Sequence, residues 1–399
     1  MSPDAVGVVG AGTMGSGIAL LASLCCRTYI HDPDPTALDS AQERIGLALS
    51  KGIDKGWSEA EAELASDSIL PAPAIADLGS CDLVIEAAPE DLALKRRLFA
   101  SLAETCGPEA ILATNTSSLR VADVATETPH PERVVGMHFF NPPQRMKLVE
   151  VVATERSKEE ALRRTADLAR RMGRTPIRAK DSPGFIANRL ARPFTLESLR
   201  MLADGVADVE TIDRVCRLGG GFRMGPFELI DLIGLDVNLS VARSFYAQGG
   251  EPERWRPSTI QERMVGEGLL GRKSGRGFYE YPSSSGVPFP SQRGERHTGT
   301  DGIEAPTLDP EELAKIDPAG PEILPRLVAQ IANEAAFARE EEVGSPADMD
   351  TAMRLGFNWP LGPLELTEAI GRARAAALLA ELRAEHGEAY RPAPLLTAG

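Results

Sequence analysis

The apolar run Val6, Gly7, Val8, Val9 leads directly into Gly10, Ala11, Gly12, Thr13, Met14, Gly15 and then into a second apolar stretch from Ile18 to Leu24. A strand that turns tightly into a helix needs glycine where the chain bends, where a ligand approaches the backbone, and where helix meets strand. GxGxxG in this context is the dinucleotide-binding pattern, with the diphosphate at the helix N-terminus. Gly10, Gly12, Thr13, Met14 and Gly15 are therefore candidate cofactor contacts. A second predicted strand, Thr28 to Asp32, ends twenty residues beyond Gly12, where the Asp32 carboxylate can accept from both hydroxyls of an adenosine ribose. That favours NAD. The same carboxylate would repel a 2′-phosphate, and Pro33, Asp34 and Pro35 supply no arginine in its place.

The alternation of short β-branched runs with amphipathic stretches continues to about residue 180, which predicts an α/β, Rossmann-type domain over residues 1–182. Further strands are expected at Leu83 to Glu86, Ile111 to Thr114, Val134 to Phe140, Leu148 to Val152 and Pro176 to Ala179. Helices are expected at Ala37 to Ser50, Glu59 to Ala65, Leu92 to Cys106 and Lys158 to Met172. Beyond Asp181, Ser182, Pro183 the apolar spacing becomes helical, predicting a mainly α-helical domain over 183–282 that closes on a strand-like Gly277 to Tyr281. Ser, Gly and Pro then dominate, and residues 283–317 read as a linker before a last helical domain, 318–399.

That last domain repeats the previous one. Setting each residue against the one 137 further on, residues 207–234 match 344–371 at 10 of 28 positions, including Asp213/Asp350, Gly225/Gly362, Pro226/Pro363, Glu228/Glu365 and Gly234/Gly371. Arg189 and Leu190 match Arg326 and Leu327 at the same offset. An ungapped register of this kind predicts two helical domains related by duplication. The second is expected to be catalytically silent and to pack on the first as an internal pseudo-dimer, giving a monomer or a homodimer through another surface.

Composition narrows the partners. A net charge of −15 argues against nucleic acid, whose phosphates draw on a broad basic surface. No apolar run approaches the roughly 20 residues of a membrane span, and Met1 runs into the first strand without a secretory pattern, so a cytoplasmic protein is expected. Cys25, Cys26, Cys81, Cys106 and Cys216 form no CxxC pair, so no metal site is expected.

Of the five histidines, His297 falls in the linker, His386 near the end of a charged helix and His130 between prolines, and these read as exposed bystanders. His138 lies in the run Val134 to Phe140, followed by a turn at Asn141, Pro142, Pro143 and a strand ending in Glu150. If the two strands pair antiparallel about that turn, Glu150 faces His138, where a carboxylate would fix the imidazole tautomer of a general base. A buried histidine bonded to a backbone carbonyl fits the spacing equally well.

Four segments taken together, the GxGxxG turn, Thr114 to Leu119 (TNTSSL), Gly136 to Glu150 (GMHFFNPPQRMKLVE) and Asp181 to Arg189 (DSPGFIANR), closely resemble the L-3-hydroxyacyl-CoA dehydrogenase family. The resemblance runs from Val6 to Tyr281 and recurs over the second helical copy. It implies that His138 is the general base and Glu150 its orienting partner, and that Ser117 and Asn188 hold the oxygens of an acyl-CoA substrate. It implies cofactor contacts at Glu90, Lys95, Asn115, Ser117, Asn141 and Lys273, with Asn141 also supporting the substrate pocket. Lys55 matches a lysine that holds the CoA nucleotide, whereas a serine of the family's CoA site is Ala48 here. Two other readings stand beside this one: a same-fold NAD dehydrogenase of a free hydroxy acid, of gulonate type, and an inactive NAD-binding scaffold.

Overall fold

The computed structural model describes residues 3–54, 58–281 and 306–397, so Lys55, His297 and most of the expected linker lie outside the described residues. The chain divides into two compact units, Met1–Phe185 and Ile186–Gly399.

The first unit is an eight-stranded sheet in the order β3-β2-β1-β4-β5-β6-β7-β8. The strands are β1 (Ala5–Val9), β2 (Arg27–His31), β3 (Ile69–Pro71), β4 (Leu83–Glu86), β5 (Ile111–Thr114), β6 (Val134–Phe139), β7 (Leu148–Ala153) and β8 (Thr175–Lys180). Six strands run parallel in a doubly wound order, and β7 turns back antiparallel on β6. Every residue of β4, β5 and β6 is buried, as expected for strands covered on both faces. Their core includes Val6, Val8, Leu83, Ile85, Ile111, Ala113, Val135 and Met137. The helices of this unit are α1 (Thr13–Ser23), α2 (Pro35–Ile53), α3 (Glu59–Asp67), α4 (Leu92–Thr105), the short α5 (Val121–Val124) and α6 (Glu159–Arg171). The pattern misses two short elements: β3, a three-residue edge strand ending in proline, and the four-residue α5, both too short to show a period.

The second unit is helical. It contains α7 (Ala187–Asp204), α8 (Val209–Leu218), α9 (Pro226–Ile233), α10 (Leu235–Gln248), α11 (Thr259–Gly266), α12 (Pro310–Ile316), α13 (Gly320–Glu340), α14 (Pro346–Gly356), α15 (Pro363–Ile370), α16 (Arg372–His386) and α17 (Pro394–Thr397). The bounds of α8, α9 and α10 recur 137 residues on, to within a residue, in α14, α15 and α16. The capping chemistry recurs as well. The Asp213 carboxylate accepts from the Phe227 and Glu228 amides at the start of α9, and Asp350 accepts from the Leu364 amide at the start of α15. Glu228 accepts from the Gly225 amide and Glu365 from the Gly362 amide, and Arg217 and Arg354 pair with those same two glutamates.

Buried ion pairs join the two halves of this unit. Arg189 on α7 donates to Glu334 on α13 (2.7 Å) and to Glu341 (2.6 Å). Its counterpart Arg326 on α13 donates to Glu197 (2.5 Å) and Asp204 (2.6 Å) on α7. Glu197 and Asp204 sit 137 residues before Glu334 and Glu341, so the bonds are reciprocal.

Three expectations are corrected. Residues 306–317 are not all linker: α12 buries Leu313, and the Thr307 amide donates to the Gly219 carbonyl. Gly277 to Tyr281 forms no strand and takes part in one isolated bridge, Glu280 with Arg276, because the Asp231 carboxylate takes the Phe278 and Tyr279 amides that a ladder would need. His386 is no exposed bystander; its ring lies against Tyr390 and its Nδ1 is 3.6 Å from Asp204. Among the described residues no helix is long and apolar enough to cross a membrane.

Candidate active site

The glycine turn is shaped by contacts that a side chain would forbid. A Cβ on Gly15 would lie 1.7 Å from the Gly10 carbonyl oxygen, so α1 packs on β1 only with glycine there. At Gly12 a Cβ would point into open space, and the N-terminus of α1 has no side-chain cap. Free amides beside an open cradle are what a diphosphate requires, so these residues fit the nucleotide. Thr13 and Met14 form the first turn of α1. Asp32 lies just past β2, half-buried, its carboxylate accepting from the Ala11 amide (2.8 Å) and the Asp34 amide (3.0 Å). Arg44, which the motif does not mark, reaches from α2 to the Ala11 carbonyl and to Ser16 Oγ (3.2 Å).

β6 and β7 pair in the register that opposes His138 to Glu150. The His138 Nδ1 is 2.7 Å from Glu150 Oε2, with the histidine 5% exposed and the glutamate fully buried. Such a carboxylate selects the tautomer with the proton on Nδ1, which leaves Nε2 with a lone pair. The rings of Phe140 and Phe185 lie 4.6 and 5.8 Å from the imidazole. Phe185 has a left-handed φ of 51°, uncommon for a bulky residue, so its ring is placed there at a cost in backbone energy.

Two loops at the carboxyl edge of the sheet, after β4 and after β5, are tied together by acids. Glu90 accepts from Thr116 Oγ1 (2.6 Å), from the Ser117 and Ser118 amides (3.1 Å each) and from Ser118 Oγ (2.9 Å), which clamps the loop that carries exposed Ser117. Burial pushes the Glu90 carboxyl up, but Lys95 and the bonds from Thr116 and Ser118 outweigh it and hold it below its ordinary value. Lys95 is 1% exposed; its ammonium is 2.7 Å from buried Glu86 and 3.3 Å from Glu90, so it supports Glu90 from below. Glu86 also accepts from Thr114 Oγ1 (2.7 Å) and the Ala88 amide (2.7 Å). Asn115 accepts from the Phe139 amide (2.8 Å), which pins the Ser117 loop to the strand bearing His138. Asn141 is exposed in the turn that follows β6.

The first unit thus brings together the glycine turn, Asp32, Glu90, Lys95, Asn115, Ser117, His138, Asn141 and Glu150. Asn188 and Lys273 belong to the second unit: Asn188 is half-buried on the first turn of α7, and Lys273 pairs with Asp236 (2.5 Å). Sequence reasoning missed Glu86, whose signal was an acid at the end of an otherwise apolar strand. It also missed Phe140, Phe185 and Arg44.

Residues 5–182 match the model of the 3-hydroxyacyl-CoA dehydrogenase NAD-binding domain, and residues 184–281 and 323–398 match that of the 3-hydroxyacyl-CoA dehydrogenase C-terminal domain. The chain belongs to this family. It is an NAD-dependent oxidoreductase, a 3-hydroxyacyl-CoA dehydrogenase. The chain is 36% identical to a protein of Escherichia coli K12 named 3-hydroxyadipyl-CoA dehydrogenase, over 98% of this chain and 96% of that one. It is 39% identical to a probable 3-hydroxybutyryl-CoA dehydrogenase of Deinococcus radiodurans, over 69% of this chain and 99% of the relative. A crystal structure of 3-hydroxybutyryl-CoA dehydrogenase from Escherichia coli K12 superposes with a TM-score of 0.89 at 34% identity, covering 100% of this chain and 98% of that chain.

Proposed function

We propose that the chain oxidises the 3-hydroxyl of an L-3-hydroxyacyl-CoA with His138 as general base. The observation that carries this reading is the buried 2.7 Å bond from His138 Nδ1 to Glu150, which leaves Nε2 to take the hydroxyl proton. Bound NAD supplies the hydride acceptor. Glu150 then stabilises the imidazolium electrostatically, in a site that Phe140 and Phe185 keep dry. Ser117, positioned by Glu90, and Asn188, by its match to the family motif, hold the substrate oxygens as charge shifts toward them. Asn141 supports the same pocket. Gly10, Gly12, Thr13, Met14 and Gly15 cradle the diphosphate and Asp32 the ribose. Glu90, Asn115 and Lys273 serve the cofactor side, with Lys95 acting through Glu90. Lys55, by resemblance, serves the CoA.

Replacing His138 by Gln removes the base and no nucleotide contact. Turnover should fall about 100- to 10,000-fold, with NADH affinity by fluorescence titration unchanged. A variant that keeps more than a tenth of wild-type kcat overturns the assignment. Turnover of free 3-hydroxybutyrate or gulonate in preference to 3-hydroxybutyryl-CoA would favour the free-acid reading, and no turnover with tight NADH binding would favour the scaffold.

We further infer that the domains fall at 1–182, 183–282 and 318–399 and that the last two arose by duplication, which the repeated caps and the reciprocal Arg189 and Arg326 pairs support. The paired copies form an internal pseudo-dimer, consistent with a cytoplasmic monomer or with a homodimer through another face.

A further inference from the structure

The long helices α7 and α13 bury three arginines and treat two of them alike. Arg189 meets Glu334 and Glu341, and Arg326 meets Glu197 and Asp204. Arg192 is the exception. It is 7% exposed, its Nε and Nη1 have no hydrogen-bond partner, and no carboxylate pairs with it among the described residues. The guanidinium lies over the ring of Phe245, with 5.3 Å between its carbon and the ring centroid. Burial alone pushes the guanidinium down to about 10, with no acid offsetting it.

A buried charge stripped of water and left unpaired is costly, and an ordinary packing position does not need one. The residue 137 positions further on, in the matching place on α13, is Ala329. The charge therefore belongs to something that the first helical copy does and the second does not. Asn188 and Arg192 are four residues apart on α7, so they leave the same face of the helix about one turn, or ~5.4 Å, apart. Asn188 is half-buried and Arg192 lies one turn deeper along the helix.

We propose that Arg192 receives a second carboxylate at the far end of the acyl chain, so that the substrate class is a 3-hydroxyacyl-CoA of a short dicarboxylic acid. The inference rests on the reading of Asn188 as a contact to the substrate oxygens. With the 3-oxygen at Asn188, a few methylenes span one helical turn to the guanidinium, whose planar fork takes a carboxylate through two parallel bonds. A chain ending in a methyl group would leave the buried charge unpaired, which is how a site discriminates strongly against an analogue lacking one polar group.

The test compares two six-carbon substrates in the reductive direction, 3-oxoadipyl-CoA and 3-oxohexanoyl-CoA, with acetoacetyl-CoA as reference. The intact enzyme should show a kcat/KM at least about 100-fold higher for the adipyl thioester. In Arg192→Met the ratio of the two values should fall to near one, and Arg192→Lys should keep part of the preference. Because Arg192→Met removes an unpaired buried charge, its Tm should equal or exceed that of wild type. A wild-type ratio near one, a preference that survives in Arg192→Met, or a lowered Tm with both substrates impaired alike each overturns the proposal. If acetoacetyl-CoA is reduced and the adipyl thioester is not, this inference fails alone. If no thioester is reduced, the reading of the site fails and this inference with it.

Discussion

The two halves of the helical unit share what builds a fold and differ in what would meet a ligand. Both start their short ninth-type helix, α9 or α15, with Gly-Pro, an aspartate that caps from the preceding helix, and a glutamate held by an arginine. Both send an arginine across to the other half's acids. Yet Asn188 is matched by Pro325, which has neither a side-chain donor nor a backbone N–H, and Arg192 by Ala329. The features the halves share are those that hold two faces together. Where they differ, the first half carries the side chains proposed to meet substrate.

The sharpest way to break this comparison is at the reciprocal ion pairs. Arg189→Met removes the bonds to Glu334 and Glu341 while Arg254 and Trp255 remain as donors to Glu334, and should cost about 3 kcal/mol of stability in urea denaturation. Arg326→Met should cost a similar amount, since Glu197 likewise keeps one cation, Arg200, and the Tyr390 hydroxyl. The double variant Arg189→Met, Glu334→Gln should recover little of the loss, because Glu334 keeps Arg254 and Trp255 as partners in the single variant and Arg254 loses that carboxylate in the double one. If one arginine matters and its counterpart does not, the two halves are not equivalent partners.

The next effect separates function from scaffold. Asn188→Ala should lower kcat/KM about 100-fold through a lost hydrogen bond to a substrate oxygen, or ~3 kcal/mol of transition-state stabilisation. Pro325→Ala, at the matching position, should leave kcat/KM within about twofold of wild type, because nothing there is asked to touch substrate. Equal losses in the two variants would show that α7 and α13 act on activity only through packing.

The parts of this arrangement that could be read from residues alone were the local ones. The pairing of His138 with Glu150 followed from a short turn at Asn141 to Pro143, because in a hairpin the connection sets the register. The glycine turn followed from spacing for the same reason. The Glu90 clamp did not, because it joins loops 26 to 28 residues apart whose meeting depends on strand order. The partners of Arg189 and Arg326 lie 145 and 129 residues away, and only the folded pair of helices brings them together. Arg192 was harder still, since its informative property is a missing partner. α12 was hidden by the proline-rich composition around it, although Asp309 and Pro310 are an ordinary helix start.

The smallest expected effect is also the finest test of the comparison, because it concerns the same cap in two environments. Asp213 is fully buried; that burial, with Glu228 beside it, pushes its carboxyl up to about 7 against the bonds from the Phe227 and Glu228 amides and the Tyr279 hydroxyl. Asp350 is half-buried and burial raises its carboxyl too, with no tyrosine facing it among the described residues. A carboxyl whose pKa is higher in the folded than in the unfolded chain binds more protons when folded. Its contribution to stability is complete below about pH 4 and is lost as pH rises through about 7. Urea midpoints of the wild type should therefore fall between pH 5 and pH 8, with a slope from this group of at most ~1.4 kcal/mol per pH unit. Asp213→Asn imitates the neutral carboxyl at every pH, still accepting from the Phe227 amide and able to donate to Tyr279, so it should flatten that slope whatever it does to the midpoint itself. Asp350→Asn should flatten it less, because water already screens the acid of the second half. Equal slopes in Asp213→Asn and wild type would show that the cap of the first half stays charged in the fold, and the two caps would then differ in burial without differing in chemistry.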